Sequence, residues 1–331
     1  MIIQEITLTN FRNHEQYHLI CDPDTTLIIG ENGFGKTSIL EAIYILTRGK
    51  SFRATDPDII KHNTDYYRIE LKYNNGEKII ATYDNKNKTF LITDKKSRRL
   101  PKKNKYPVVL FQPSDLNLIS GSPSRRRDYF DRFFGQLTES YSNALARYNK
   151  ALHQRNELLK SDYFSPSNLF SWNVLLAKYG TIISEIRRQA INEINQQIND
   201  IYYSIAENSD QVELIYHTDV LHNQESEYLR QLEDNIEKDH IIGHTSYGIH
   251  RDDIGFEFNH KKADGSASRG ETRSIILALK FTEANTIYDK LQQKPIVLLD
   301  DVFSELDEYR RKCLVKNFKD HQVIITSVEK I

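Results

Sequence analysis

The stretch Gly30-Glu31-Asn32-Gly33-Phe34-Gly35-Lys36-Thr37 constrains this chain more than any other. It satisfies G-x-x-x-x-G-K-[ST], and its setting agrees with its spelling. The apolar run "TTLIIG" before it reads as a short buried strand. Behind it, Ile39, Leu40, Ile43 and Leu46 fall on one helical face. Strand, glycine loop and helix together make a cradle for phosphates. The glycines let backbone N–H groups turn inward, and the helix N-terminus adds partial positive charge. Gly30, Asn32, Gly33, Gly35 and Ser38 belong to this loop, with Lys36 placed to reach the β- and γ-phosphates and Thr37 to ligate Mg²⁺. The ligands expected are ATP and Mg²⁺.

A second acidic feature completes the set. "PIVLLDD" reads as a buried strand ending in Asp300 and Asp301. A carboxylate at such a strand end holds the water shell of Mg²⁺, which suits Asp300. The next acid, Asp301, orients or deprotonates the attacking water. About 260 residues separate Lys36 from Asp300, whereas a small-molecule kinase closes its site within a more compact domain.

What lies between explains the distance. "IIQEITLTNF" alternates as a half-buried strand, so the first thirty residues read as two strands. "YYRIELKY", "KIIATY" and "KTFLIT" are short strands split by the turns "NNGE" and "DNKN", an antiparallel meander. Beyond Pro123, Leu137, Tyr141, Leu145, Tyr148, Leu152 and Leu159 recur at helical spacing. Trp172, Leu176, Tyr179, Ile183, Ile186, Ile194, Ile198 and Ile201 do the same, with "KSDYFSPSN" as the connection. Two antiparallel helices sharing an apolar seam are expected. The predicted organisation is an ATPase head over 1–122, a helical arm over 123–238 and the rest of the head over 239–331. There "SRGE" opens a helix, and "HQVIIT" is a last strand. Two cysteines without a CxxC pair argue against zinc or a disulfide framework, and no apolar run has the length of a membrane span. These features favour a soluble cytoplasmic protein.

The order of phosphate loop, insertion, "SRGE" helix, acidic strand end and "SELD" resembles the ABC-type ATPases. Within them the chain resembles the RecF family of recombination and gap-repair proteins. The residues that carry this are "NFRNH", "GENGFGKTSILEAIYIL", "GKSFRATD", "FQPSDLNLISGSPSRRRDYFD", "YGIHRDD", "SRGETRSIILALK" and "LLDDVFSELD". The fold class implied is α/β: an ABC-type head with an antiparallel β subdomain and an inserted, mainly α-helical arm. The resemblance also implies a head-to-head dimer in which Ser268 and Gly270 of one copy cap the γ-phosphate held by the other. It places Arg12 and Asn13 on the nucleotide phosphates, Gln112 at Mg²⁺ and the attacking water, and Asp307 across the dimer. Aspartate at 301, where most relatives have glutamate, predicts slow hydrolysis. Thr326 and Ser327 stand at the usual switch histidine, leaving His250 as either a replacement or a structural residue.

The implied activity is a weak, DNA-dependent ATPase: a clamp on duplex DNA beside gaps that helps load RecA with RecO and RecR. Lys95, Lys96, Arg98, Arg99, Lys102, Lys103 and Lys105, a run without an acid, are the candidate DNA-binding residues. A solvated loop is the competing reading. Arg125, Arg126, Arg127 and Arg132 form a second basic group, some of which should pack at the base of the arm. The nucleotide-binding subunit of a transporter and a small-molecule kinase are the rival functions. No membrane partner is expected.

Overall fold

The computed structural model describes residues 1–84, 86–161, 165–222 and 224–328. They group into two compact units, Met1–Leu116 with Glu283–Ile331, and Asn117–Thr282. Along the chain the first unit begins with β1 (Ile3–Phe11), β2 (His14–Ile20), β3 (Thr25–Ile29) and α1 (Lys36–Arg48). It continues with β4 (Tyr67–Tyr73), β5 (Lys78–Tyr83), β6 (Lys88–Ile92), β7 (Lys95–Ser97) and β8 (Val108–Phe111). The expected meander is β4 to β6, and it belongs to a larger antiparallel sheet in the order β2-β1-β4-β5-β6-β7. A register shift between Ile3 and Glu5 lets Ile3 and Ile6 both face inward despite their odd spacing. The first thirty residues hold three strands rather than two. The additional one, β2, lies at the sheet edge and buries only its first residue, with Tyr17 and Leu19 partly buried against the core, so the apolar alternation of "HEQYHLI" is short.

The middle of the chain builds the second unit. It comprises α2 (Pro123–Leu137), α3 (Glu139–Leu159), α4 (Pro166–Asn195), α5 (Ile198–Ala206), β9 (Val212–His217), α6 (Glu225–Asp234) and α7 (Ile236–Ile242). Then come β10 (Asp253–Phe258), β11 (Lys261–Lys262), the kinked turn α8 (Ala263–Ser266) and α9 (Arg269–Leu291). Helices α3 and α4 are antiparallel partners: Tyr141 meets Arg187, Arg147 meets Tyr179 and Arg155 meets Asn173, one number rising as the other falls. Within their connection "KSDYFSPSN", residues 162–164 lie outside the described residues. β10 pairs along its whole length with β9. Residues 239–282 therefore cluster with 117–238, and the units divide at 116/117 and 282/283 instead of 122/123 and 238/239.

The chain returns to the first unit with β12 (Ile296–Asp300), α10 (Glu308–Asn317) and β13 (Val323–Ser327). These strands make a parallel sheet in the order β3-β13-β12-β8. One core joins both sheets of this unit through α1, whose Ile39, Leu40, Ile43, Ile45 and Leu46 are all fully buried. Because β13 lies between β3 and β12, the phosphate-loop strand and the acidic strand end at the same rim of the sheet.

The second unit is held by buried polar groups. The Arg187 guanidinium donates to Asp131 at 2.8 Å, Asp252 at 3.0 Å, the Tyr141 hydroxyl at 3.0 Å and the Ile249 carbonyl at 2.9 Å. Arg126 makes a bidentate pair with Asp253 at 2.7 and 2.8 Å, and Arg127 donates to the Asp252 carbonyl. The "RRR" and "HRDD" segments thus lock to each other inside one unit.

His250 sits in the same lock. Its Nε2 lies 3.0 Å from the Thr245 carbonyl and must donate, so Nδ1 accepts from the Tyr148 hydroxyl at 2.8 Å. Tyr228 is 3.0 Å from Tyr148 and extends the chain. Gly248, at φ 130°, is required here, since a Cβ would lie 2.2 Å from the Tyr228 hydroxyl. Every polar group of the imidazole has a structural task, which answers the question left by the sequence.

Burial pushes the His250 imidazole down to about 4. The unfolded chain, near 6.5, then binds more protons between those values, so stability falls on acidification through that window. Urea unfolding at pH 7 and pH 5 should show a loss of about 2 kcal/mol carried by this residue. His250→Gln, which keeps a donor for Thr245, should lose less than the wild type over the same interval. Equal losses would show that His250 is not the group responsible.

Candidate nucleotide-binding site

The rim of the first unit's parallel sheet opens into a cavity of about 500 Å³, lined by Arg12, Asn13, Asn32, Gly33, Gly35, Lys36, Thr37, Ser38, Arg53 and Asp301 among others. Gly35 starts α1 in the left-handed region, φ 92°. A Cβ there would lie 2.6 Å from His14 Nε2, which already faces the Gly35 carbonyl at 3.1 Å. Glycine is obligatory on both counts. Following it, the Ser38 N–H folds back on the Gly35 carbonyl at 2.9 Å, and the N–H groups of Lys36 and Thr37 lie at the open N-terminus of α1, where no intrahelical acceptor precedes them. The Lys36 ammonium lies across the loop, donating to the carbonyls of Gly30 at 2.5 Å and Glu31 at 3.2 Å. Asn13 Nδ2 donates to the Gly33 carbonyl at 3.2 Å.

The two chain ends meet behind this loop. Thr37 Oγ1 donates to Asp300 Oδ1 at 2.8 Å, and Thr326 Oγ1 donates to the same oxygen at 3.1 Å. Thr326 also receives the Asp301 N–H at 2.9 Å. The residue at the expected switch position therefore fixes both aspartates. Asp301 itself has φ 54°, left-handed for a residue with a side chain, where the strand turns sharply and exposes its carboxyl to the cavity. The residues fit a nucleoside triphosphate, and Thr37 with Asp300 supplies the two hard oxygens that a water-rich Mg²⁺ takes from protein. No group of three or more His, Cys, Asp and Glu able to hold a metal exists among the described residues.

Arg53 and Glu41 were not singled out as functional in the sequence. The Glu41 carboxylate is fully buried and lies between two guanidinium groups. Arg12 reaches it at 2.8 and 2.9 Å, and Arg53 at 2.9 and 3.0 Å. Ser51 adds a hydroxyl at 2.6 Å. Burial alone would raise this carboxyl, but the hydrogen bonds from Arg12, Arg53 and Ser51 outweigh it and hold it below the usual range. One buried anion thus fixes two cations at the cavity wall. The signal was present as a glutamate on the apolar face of α1, a position that needs a cationic partner.

Other expected residues lie elsewhere. Gly30 is behind the loop, its N–H on the Ser327 carbonyl. Gln112 follows β8, one residue past the Phe111–Leu299 pair, and is not in the cavity wall. Asp307 caps α10 through the Arg310 N–H. Ser268 and Gly270 belong to the second unit. There "SRGE" is a capping box: Ser268 N–H donates to Glu271 at 2.6 Å, and Glu271 N–H faces Ser268 Oγ at 3.3 Å. The seven basic residues between 95 and 105 are all exposed.

Comparison with known proteins agrees along the whole chain. The family model described as the RecF/RecN/SMC N-terminal domain matches residues 2–331. The protein from Staphylococcus carnosus named DNA replication and repair protein RecF is 35% identical, covering 100% of this chain and 95% of the relative. Its namesake in Clostridioides difficile is 32% identical over 99% and 92%. A solved structure of the recombination mediator protein RecF with ATP, in the RecFOR pathway, has a TM-score of 0.88 at 28% identity, covering 99% of this chain and 92% of that one. An SMC head bound to the C-winged helix domain of ScpA shares the fold, with a TM-score of 0.53 at 16% identity over 100% and 90%.

Arg53→Ala should weaken binding of a fluorescent ATP analogue about tenfold or more, the scale of one charge-assisted hydrogen bond. Glu41→Gln should do the same through both arginines. Titration with the fold checked by circular dichroism measures this, and unchanged affinity for Arg53→Ala would remove it from the site.

Proposed function

Because the chain belongs to the RecF family of DNA replication and repair proteins, we propose that it is an ATP-driven clamp that closes as a dimer on duplex DNA beside single-stranded gaps. The phosphate cradle of α1, complete in one unit with Thr37 and Asp300 in contact, is the observation that carries the reading. Lys36 turns from the loop carbonyls to the β- and γ-phosphates, while Arg12, Asn13 and Arg53 face the remaining negative charge. Thr37 and Asp300 would hold Mg²⁺, with Gln112 beside Asp300, and the ion would supply positive charge against the negative charge that develops during cleavage. Asp301 takes the proton of the attacking water. Its shorter side chain keeps the carboxylate farther from that water than a glutamate would, so hydrolysis is slow and serves as a release timer.

Closure needs a second copy. Ser268 is exposed at the N-terminus of α9, and its hydroxyl with the N–H of Gly270 offers donors for a γ-phosphate held by the partner. Asp307 extends the same contact. DNA is held through Lys95, Lys96, Arg98, Arg99, Lys102, Lys103 and Lys105 by release of counterions. RecR and RecO are the partners with which this protein helps load RecA, in line with the RecFOR pathway named for the similar structure. A transporter subunit or a metabolite kinase is not favoured, since relatives that match nearly the whole chain are named for DNA replication and repair. No helix among the described residues is long and apolar enough to cross a membrane.

Anisotropy of a labelled gapped duplex tests the clamp. Binding should be tight with ATP and Mg²⁺, weak with ADP or no nucleotide, and lost with Lys36→Ala; nucleotide-independent binding would remove the clamp. Asp301→Asn should lower phosphate release about 10²-fold or more while keeping ATP affinity and melting temperature, because asparagine tolerates the left-handed backbone. A wild-type rate would place the base elsewhere.

A further inference from the structure

We propose that Asp56 is a positioning residue for the nucleotide: held from the antiparallel sheet by Tyr67 and Lys88, it sets the loop that aims Arg53 and Arg12 into the phosphate cavity. It rests on the nucleotide-binding reading above and assigns part of that site's geometry to side chains outside the cavity wall.

Arg53 stands in the connection from α1 to β4, whose regular structure is a single 3₁₀ turn, Asp56–Ile59. Ser51 fixes the start of this loop, accepting the N–H groups of Arg53 at 3.0 Å and Ala54 at 3.1 Å. The tip of β1 fixes its end. The Ile59 carbonyl accepts the Arg12 N–H at 2.8 Å, and the Asp58 carbonyl accepts from Arg12 Nη1 at 2.8 Å. Asp56 lies between these two anchorages, three residues after Arg53 and two before Asp58. Its Oδ1 accepts from the Tyr67 hydroxyl and from the Lys88 ammonium, both at 2.6 Å. Thr55 and Asp58 form a capping box around the turn, and Pro57 stiffens it, so the turn moves as a unit. A displacement of Asp56 therefore reaches Arg53 on one side and the carbonyls that hold Arg12 on the other.

The two donors belong to one row across the sheet. Tyr67 begins β4, Tyr83 ends β5 and Lys88 begins β6, and the register sets them side by side. Tyr83 stacks on the Tyr67 ring at 5.9 Å, while Phe11, the residue before Arg12, meets the same ring edge-on at 5.4 Å. Tyr67 is fully buried. Burial, and then its bond to Asp56, push the hydroxyl well above the ordinary tyrosine range, so it remains a donor. The Lys88 and Asp56 side chains are 14% and 27% exposed, whereas in the Lys72–Glu5 pair on the same sheet the values are 45% and 38%. Loop closure for stability is the ordinary reason for an ion pair here. A partly desolvated pair returns little net stability, because lost hydration offsets the attraction. It does impose one loop position, since any arrangement that parts the two charges leaves them poorly hydrated and unpaired. Position is what this site needs, because Arg12 and Arg53 are both carried by irregular backbone and must hold their guanidinium groups within a fraction of an ångström.

Affinity for the fluorescent ATP analogue, measured in a double-mutant cycle, provides the test. Asp56→Ala and Arg53→Ala should each weaken binding about tenfold. Together they should fall well short of the roughly hundredfold loss to which independent effects multiply. Asp56→Asn, which keeps the accepting oxygen, should lie closer to the wild type than Asp56→Ala does. Tyr67→Phe with Lys88→Met, which keeps Asp56 and removes both donors, should reproduce the alanine variant, with the fold of each checked by circular dichroism. Wild-type affinity in Asp56→Ala, or losses that multiply in full, would overturn the positioning role and leave the nucleotide-binding reading standing. If the wild type itself binds no ATP analogue, that reading fails and the positioning role with it.

Discussion

The hydrogen bond from Thr37 to Asp300 joins residues 263 positions apart, and the site exists because the fold makes that bond possible. Neither the glycine loop nor the acidic strand is sufficient alone. They meet because β13 inserts between β3 and β12, giving parallel strands that end at one rim. In open parallel sheets ligands bind at that carboxyl rim, where loops diverge. Thr326 completes the junction by donating to Asp300 and receiving from Asp301.

Much of this was legible. The loop, the acidic strand, the meander and the paired arm helices follow from local period and turn chemistry. The parts that were not legible share a cause: their partners are remote in sequence. β2 takes its place from β1, and only the short alternation of Tyr17 and Leu19 announces it. Glu41 reads as an odd charge on the apolar face of α1 until Arg12 and Arg53 arrive from a hairpin tip and a loop. "SRGE" was read for its resemblance to a signature, while its physical content, a reciprocal cap on α9, is visible in its four letters. The pairing of β9 with β10, which draws residues 239–282 into the second unit, is of the same kind.

The second unit illustrates how specific motifs can be structural. "RRRDYFD" and "GIHRDD" point to the family more sharply than the phosphate loop does, yet Arg126, Asp131, Asp252 and Asp253 are engaged with protein partners. Removing one member of such a buried set leaves an unpaired charge and costs about 3–5 kcal/mol, whereas an apolar replacement of the whole set need not. Single substitutions are therefore resisted even if the network adds little net stability. This separates the two basic groups: Arg126 and Arg127 have carboxylate and carbonyl partners, while the residues after β7 are gathered on the surface.

Strain follows the same division between chemistry and support. Arg12 and Asp301 both have positive φ, 55° and 54°, and both face the cavity. A side-chain-bearing residue in that region costs on the order of 1 kcal/mol or more. Each is offset by neighbours outside the reaction. Arg12 N–H is bonded to the Ile59 carbonyl and its guanidinium is fixed by Glu41 and the Asp58 carbonyl. Asp301 is fixed through its own N–H by Thr326. The strained backbone turns a cation and a carboxylate toward one space, which an unstrained hairpin tip and an unstrained strand end would direct elsewhere. Glu41 and Thr326 are thus as necessary to the geometry as the groups that face the nucleotide, although neither has reason to touch it.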